Sequence, residues 1–426
     1  MLVDLRLTTV VGLVVGLVLL ALPVGATTAN DTSVASPLDA AVGQLESGDL
    51  GGAERALRAL IGRQDSPAAR DLLGVVLSRQ GRLGEAEQQF EQALTMDADF
   101  LDGRQHLARL YLLQKRRNAA VEQLRRAARL GPLERDLAMT LASIELSAGN
   151  TAAAERQLRS VAGRFGSVQA LLRLSRIAAA RQDVQGSLDA LGQALEIAPA
   201  SEEVLAANAR TSLTAGLPVP AITVLEPLTR MHPTVAEYAY LMGVAQMQVG
   251  DMAGSIESLQ RSLDLEPDRA AALIGLGSVL NQQKRYVEAK ETLNRSLVLD
   301  PDNVDGLAAL AEAEAGLSRF EAAEDYAQRA LAEEPAHATA SLALGTIRMQ
   351  EGRYDEAREV LEATVAADPQ SARAHYQLSL ANSRLGDRDK SRHHVEIYRR
   401  LLREDEERLV DLRRKLGLPD NGGTAP

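Results

Sequence analysis

Apolar residues recur at helical spacing in a short unit that is clearest between residues 270 and 301. Leu273, Leu276 and Leu280 stand at positions i, i+3 and i+7, which predicts an amphipathic helix. After a polar break, a second apolar stripe predicts a second helix, which Pro301 ends. A single helix pair of this size leaves apolar surface exposed. It therefore needs neighbours on which to pack.

The same pattern recurs along the chain every 33 or 34 residues. One position of the second helix is always small: Ala53, Ala86, Ala120, Ala154, Ser187, Ala221, Ser255, Ala289, Ala323, Ala357 and Ser391. One position of the first helix is small as well: Gly74, Ala108, Ala142, Ser175, Ala209, Gly243, Gly277, Ala311, Gly345 and Ser379. Small residues let two backbones approach, so we expect these positions to face each other within each pair. The period predicts an all-α solenoid of about 11 helix-turn-helix repeats over residues 34–401, forming a superhelix.

These columns resemble the tetratricopeptide repeat family, whose pattern is W-x2-L-G-x2-Y, then A-x3-F, then P. The matching residues are Leu273, Leu276, Gly277, Leu280, Ala289, Leu293 and Pro301. Most aromatic positions of the pattern hold leucine here, although Tyr111 and Phe90 keep the aromatic side chain. The resemblance implies that the first helix of every repeat lines a concave groove that binds another protein.

Composition narrows the possible functions. The net charge of -11 and the pI near 5.2 argue against general nucleic-acid binding, which requires a basic face. The chain has no cysteine, so it forms no disulfide and no thiolate metal site.

The first 26 residues have the features of a secretory signal peptide. Arg6 ends a short charged start, residues 7–22 carry no charge, and small residues precede a cleavage site predicted after Ala26. The alternative is an uncleaved anchor at residues 7–24, which is near the ~20 residues that span a bilayer. Either interpretation predicts an exported protein, periplasmic if the source is bacterial. Residues 27–36 are predicted to form a flexible linker.

The last helix is predicted to be extended, over residues 389–416. One face stays apolar along its length through Val395, Tyr398, Leu402, Leu409, Leu412 and Leu416. We expect this helix to cap the last repeat, and a coiled-coil or partner-binding role is the alternative. Residues 417–426 are predicted to be disordered.

No pattern of catalytic, cofactor-binding or metal-binding residues stands out. His393 and His394 are adjacent and point about 100° apart on a helix, and the other four histidines fall in separate repeats. Gly275 and Gly277 lack the third glycine and the preceding strand of a nucleotide-binding motif. We therefore predict no enzymatic activity, no cofactor and no metal.

The groove implied by the resemblance offers candidate binding residues. Arg109, Arg176 and Arg210 share one column and would attract an acidic segment of a partner. Apolar contacts further along are predicted at Tyr240, Ile274, Leu342 and Tyr376. Two alternatives remain open: the apolar residues pack between first helices, or the arginines form a solvated face.

One groove chemistry of the family is excluded. The Lys and Asn clamp that holds a terminal carboxylate in co-chaperones of this family is replaced by Asp71, Val75, Gln105 and Arg109.

Together these features predict an exported, non-catalytic scaffold that binds a peptide or helix of another protein. One alternative is a component of an envelope assembly, secretion or polysaccharide-export complex. Another is an accessory subunit that handles a glycan, although the absence of Trp argues against it.

Overall fold

The computed structural model describes residues 36–416, and every regular element in that range is an α-helix. The described chain divides into two compact units between Leu137 and Ala138, inside the helix Arg135–Ser147. The predicted signal peptide, the linker up to residue 35 and the predicted tail at residues 417–426 lie outside the described residues.

Within the first unit the helices follow one another with short turns. They are α1 (Pro37–Glu46), α2 (Leu50–Arg63), α3 (Pro67–Arg79), α4 (Leu83–Met96), α5 (Leu101–Leu113), α6 (Arg117–Leu130) and the start of α7 (Arg135–Ser147).

The second unit continues the same alternation. Its further helices are α8 (Thr151–Phe165), α9 (Val168–Ala180), α10 (Val184–Ile197), α11 (Glu202–Thr214), α12 (Pro218–Met231), α13 (Ala236–Gln248), α14 (Met252–Leu265), α15 (Ala270–Gln282), α16 (Tyr286–Leu299), α17 (Val304–Gly316), α18 (Phe320–Glu333), α19 (Ala338–Gln350), α20 (Tyr354–Ala367), α21 (Ala372–Arg384) and α22 (Arg388–Lys415). Odd-numbered helices are the first helices of their pairs and even-numbered helices the second. The predicted fold of about 11 helix-turn-helix repeats is confirmed over residues 36–416.

The turn inside each pair places one residue in the left-handed backbone region. Most of these turns hold glycine, at Gly48, Gly81, Gly149, Gly216, Gly250, Gly352 and Gly386. The others hold residues with side chains, at Lys115, Gln182, Lys284 and Ser318, with φ between 58° and 60°. Because L-residues other than glycine avoid this region, the repeat geometry imposes the conformation even where the residue disfavours it.

The small column of the second helices is buried inside each pair. All of its members from Ala53 to Ala357 are 0% exposed, and only Ser391, in the last pair, is half-buried. The matching glycines of the first helices meet a large side chain. A Cβ at Gly277 would lie 2.4 Å from Leu293, so no larger residue fits there. The two helices therefore approach closely at these positions, but the nearest side chain to Gly277 is Leu293, one turn after the predicted neighbour Ala289.

The proline that follows many second helices also links successive repeats of the second unit. Arg261, Arg295 and Arg329 donate from Nη2 to the carbonyl oxygens of Pro233, Pro267 and Pro301, at 3.2, 3.0 and 3.0 Å. Each arginine lies 28 residues after its proline. The proline ends one helix, and its carbonyl then anchors the next repeat.

None of the helices in residues 36–416 is both long enough and apolar enough to cross a membrane.

Candidate protein-binding surface on the first helices

Two arginines of the predicted binding column lie on successive first helices of the second unit, and each pairs with a glutamate 27 residues further on. Arg176 Nη2 on α9 lies 2.9 Å from Glu203 Oε1, and Arg210 Nη2 on α11 lies 2.7 Å from Glu237 Oε1. Both glutamates stand in the first turn of the next first helix, where a helix N-terminus also favours negative charge. The pairs therefore bridge neighbouring repeats.

Arg109 occupies the equivalent position in the first unit. Its Nη2 lies 3.0 Å from both Glu134 Oε2 and Asp136 Oδ2. Burial acts to lower the pKa of Arg109, but the two carboxylates outweigh burial and raise it. The side chain is 27% exposed, against 71% for Arg176, so the same pair is much better shielded from water in the first unit.

These ion pairs alter the electrostatics that the sequence suggested. Three unpaired arginines in one column would create a positive surface, but each of them lies next to a carboxylate. The spacing of 27 residues between each arginine and its acid is visible in the sequence. It relates two different columns, so the column of arginines by itself did not reveal the ion pairs.

The polar side chains at the positions of the co-chaperone clamp have hydrogen-bond partners inside the first unit. Asp71 on α3 is buried, and both its oxygens lie 2.9 Å from Nδ1 of His106 on α5. Gln105 Oε1 accepts the backbone N–H of Glu134 at 2.8 Å. Burial acts to lower the pKa of His106, but Asp71 outweighs it and raises the pKa. These side chains stabilise the stack of first helices.

Tyr240 on α13 and Ile274 on α15 are half-buried on adjacent first helices of the second unit. The guanidinium carbon of Arg269 lies 5.3 Å from the centre of the Tyr240 ring, within the range of a cation–π contact. Burial raises the pKa of Tyr240, so its hydroxyl stays protonated at neutral pH. Tyr240 therefore presents a partly exposed aromatic side chain on α13.

Leu342 requires a correction. It is only 8% exposed and packs in a core cluster with Ala357, Leu361, Ala374 and Leu378. Little of its side chain is therefore accessible to a partner, and its packing matches the alternative that the apolar residues of this column contact neighbouring helices.

Tyr376 on α21 is exposed, but it meets another part of the chain. Its ring lies 5.1 Å, centre to centre, from that of Tyr398 on α22. The last helix therefore covers part of the Tyr376 side chain that was predicted to contact a partner.

A contact that sequence analysis missed shows which side chains share one surface. Arg373 Nη2 on α21 lies 2.7 Å from Glu312 Oε1 on α17, although α19 stands between them in the chain. Glu312 occupies the same column as Arg176 and Arg210. Since the pair joins first helices two repeats apart, the exposed faces of α17 and α21 look onto a common surface.

The part of the chain that the structure describes contains no group of three or more His, Asp or Glu side chains arranged to hold a metal ion.

This chain is similar to several solved structures. MamA is 28% identical, with 40% of this chain and 97% of that chain covered and a TM-score of 0.30. A tetratricopeptide repeat protein from Parabacteroides merdae ATCC 43184 is 13% identical, with 58% and 98% covered and a TM-score of 0.47. Yeast Tom70 is 11% identical, with 90% and 95% covered and a TM-score of 0.39. With TM-scores below 0.5, these likenesses contribute nothing to the functional argument.

No curated protein sequence matches the chain. Two sequence models, both described as tetratricopeptide repeat, do match it: one at residues 77–144 and 314–381, the other at residues 38–99, 139–202 and 240–304. Together they cover more than half of the chain, and every match lies within the helical repeats. The chain belongs to the tetratricopeptide repeat family.

Proposed function

We propose that the protein is an exported, non-catalytic scaffold that holds a peptide or helical segment of another protein on the first helices of its second unit. Tetratricopeptide repeat proteins typically bind other proteins or peptides and are generally non-catalytic scaffolds. The narrower proposal concerns which face binds and by what chemistry.

The main support is the line of accessible side chains on three successive first helices. Arg176 on α9 and Arg210 on α11 are exposed, and Tyr240 follows on α13. An exposed ion pair contributes only about 0 to 1 kcal/mol, so an acidic segment can take over an arginine from its glutamate at little cost. Tyr240 adds contact area of the kind that dominates binding energy at protein interfaces.

The test begins with a partner captured from the exporting compartment. We expect Arg176→Glu with Arg210→Glu to slow association and flatten its salt dependence in surface plasmon resonance, because the arginines that an acidic segment would take over are replaced by carboxylates that repel it. Tyr240→Ala should mainly speed dissociation.

The matched control reverses two exposed arginines on second helices of the same unit, Arg159→Glu with Arg230→Glu. This variant changes the net charge by the same amount and should leave both rates near those of the wild type. Circular dichroism must be unchanged in all variants. If the two double reversals behave alike, the first-helix surface is not the binding site.

Export is the second part of the proposal, and the uncharged run at residues 7–22 supports it. Sequencing the N-terminus of the mature protein should give Thr27 as the first residue. An intact Met1 on membrane-bound protein would instead indicate the anchor, and an intact Met1 on cytosolic protein would contradict export.

A further inference from the structure

The last helix, α22, contacts the second unit at two separate places, and the first is its own repeat. The ring of Tyr398 packs against that of Tyr376 on α21. His394 Nδ1 lies 3.0 Å from Nδ1 of His375, which is also on α21. Leu401, at the end of this part, is buried. Up to Leu401, α22 therefore behaves as the second helix of an ordinary pair.

The next stretch, residues 402–408, is exposed at every position, and we call it the bridge. It makes about 10 Å of helix. Pairs within the helix support it: Arg400 Nε lies 3.6 Å from Glu404 Oε1, and Arg408 pairs with Asp405. Asp405 stands on the same side of the helix as Leu401 and Leu412, so the apolar stripe is interrupted where the helix is exposed to solvent.

Beyond the bridge, residues 409–416 return to the protein, and we call them the tip. Leu412 and Leu416 pack against the buried cluster formed by α11, α12 and α13, four to five repeats before the last one. The methyl carbons of Leu409 stand over Gly250, in the turn after α13, at 3.7 and 3.9 Å from where a Cβ would be. The leucines of the tip are half-buried.

The tip has the pattern of a ligand rather than of a repeat. Leucines at i, i+3 and i+7 are the anchors by which an amphipathic helix binds an apolar surface of another protein. Capping the last repeat needs no residue beyond Leu401. Because every residue of the bridge is exposed, the tip can leave its surface without disturbing the last repeat.

We propose that the surface formed by α11–α13 and the Gly250 turn is a docking site for an amphipathic helix with leucines at i, i+3 and i+7. In the free protein the tip occupies this site, and a partner helix of the same chemistry binds by displacing it. The site adjoins the surface of the proposed function, because Tyr240 packs against the same buried cluster as Leu412 and Leu416. It goes beyond that function because it takes an apolar helix rather than an acidic segment.

A labelled peptide of residues 402–416 tests the site without a natural partner. We expect it to bind, by fluorescence anisotropy, to the full chain carrying Leu409→Asp with Leu412→Asp. It should bind the wild-type chain at least ~10-fold more weakly, because the tethered tip competes at high effective concentration.

Two matched controls accompany this measurement. The chain carrying Glu406→Gln with Glu407→Gln, two exposed positions of the bridge, should behave as the wild type. A peptide carrying Leu409→Asp with Leu412→Asp should bind neither chain. Equal affinity of the unmodified peptide for the wild-type and Leu409→Asp, Leu412→Asp chains would overturn the proposal.

A distance measurement keeps the test decisive if the peptide does not bind. The chain has no cysteine, so nitroxide labels can be placed at the exposed positions Ala253→Cys and Arg408→Cys. We expect a short, narrow distance that becomes long and broad when Leu409→Asp and Leu412→Asp are added. Release of the tip without peptide binding would refute a helix-docking site, and an unchanged distance would refute docking through the leucines. A wild-type dimer in sedimentation that these aspartates dissociate would show that a second copy supplies the tip, which also overturns the proposal.

Discussion

The contact inside each helix pair and the surface made by the first helices follow different rules. Inside the pairs, every small-column residue from Ala53 to Ala357 is fully buried, and each turn places one residue in the left-handed backbone region. On the first helices, one column holds an arginine that is well shielded, an arginine that is mostly exposed and a glutamate that reaches two repeats away. The repeated contacts build the fold, whereas the unrepeated side chains distinguish one repeat from another as a binding surface.

The largest expected effect comes from breaking the repeated contact. Ala289→Leu should cost about 1 to 3 kcal/mol of unfolding free energy, because a fully buried methyl leaves no room for a larger side chain. Val298→Leu, on the same helix but 81% exposed, enlarges a side chain in solvent and should cost little. Chemical denaturation of both variants checks this, and equal stabilities would contradict the assigned packing.

A smaller effect is expected on the first helices, where burial differs within one column. Arg109→Met should cost about 1 kcal/mol, since it removes a shielded pair and leaves Glu134 beside Asp136. Arg176→Met should cost less than about 0.5 kcal/mol, because its pair with Glu203 is open to water. Adding 1 M salt should reduce the difference in unfolding free energy between the two variants only slightly if burial is its cause. The reverse order of stabilities would show that burial does not rank these pairs.

The turns inside the helix pairs allow two opposite substitutions, one that introduces glycine and one that removes it. Ser318→Gly should raise the unfolding free energy by about 0.5 to 1 kcal/mol, because glycine adopts the left-handed conformation without strain. Gly352→Ser, at the equivalent turn of the next repeat, should lower it by a similar amount. Denaturation curves of the two variants should move to opposite sides of the wild type. A shift in the same direction would mean that the turn conformation does not limit stability.

The smallest effect on the whole chain is expected from pH, because two histidine sites oppose each other. Asp71 outweighs burial and raises the pKa of His106. The contribution of the His106–Asp71 pair to stability is therefore complete below the ordinary histidine pKa of about 6.5, and it is lost as the pH rises through the raised pKa of His106. Nuclear magnetic resonance should show His106 titrating above a free histidine, and Asp71→Asn should abolish the increase.

The second histidine site has the opposite sign. Burial lowers the pKa of His375 and His394, and the positive charge of neighbouring groups, His393 among them, lowers it further. The contribution of His375 and His394 to stability is complete above about pH 6.5, and it is lost as the pH falls through their lowered pKa values. Both rings should titrate below a free histidine, and titration above it would contradict the burial of this pair.

Much of the fold was predictable because each repeat carries its own local signals. The apolar spacing of Leu273, Leu276 and Leu280 defines a helix, and the small residue at Ala289 marks where two helices touch. The same short signals recur in each pair, so an error in one repeat is corrected by its neighbours. The candidate surface was only partly predictable: Arg176, Arg210 and Tyr240 are accessible as expected, but Leu342 is buried.

The sequence by itself determined the repeat, its period and its family, because these depend on contacts between residues close in the chain. Only the tertiary structure decided which charges meet, since Arg373 and Glu312 approach through the stacking of three repeats. It alone showed that the tip of α22 rests on α11–α13, because Leu412 and its surface lie far apart in the chain and no period relates them. Contacts of this kind depend on the small rotation between successive repeats, which accumulates along the stack and is not encoded in any single repeat.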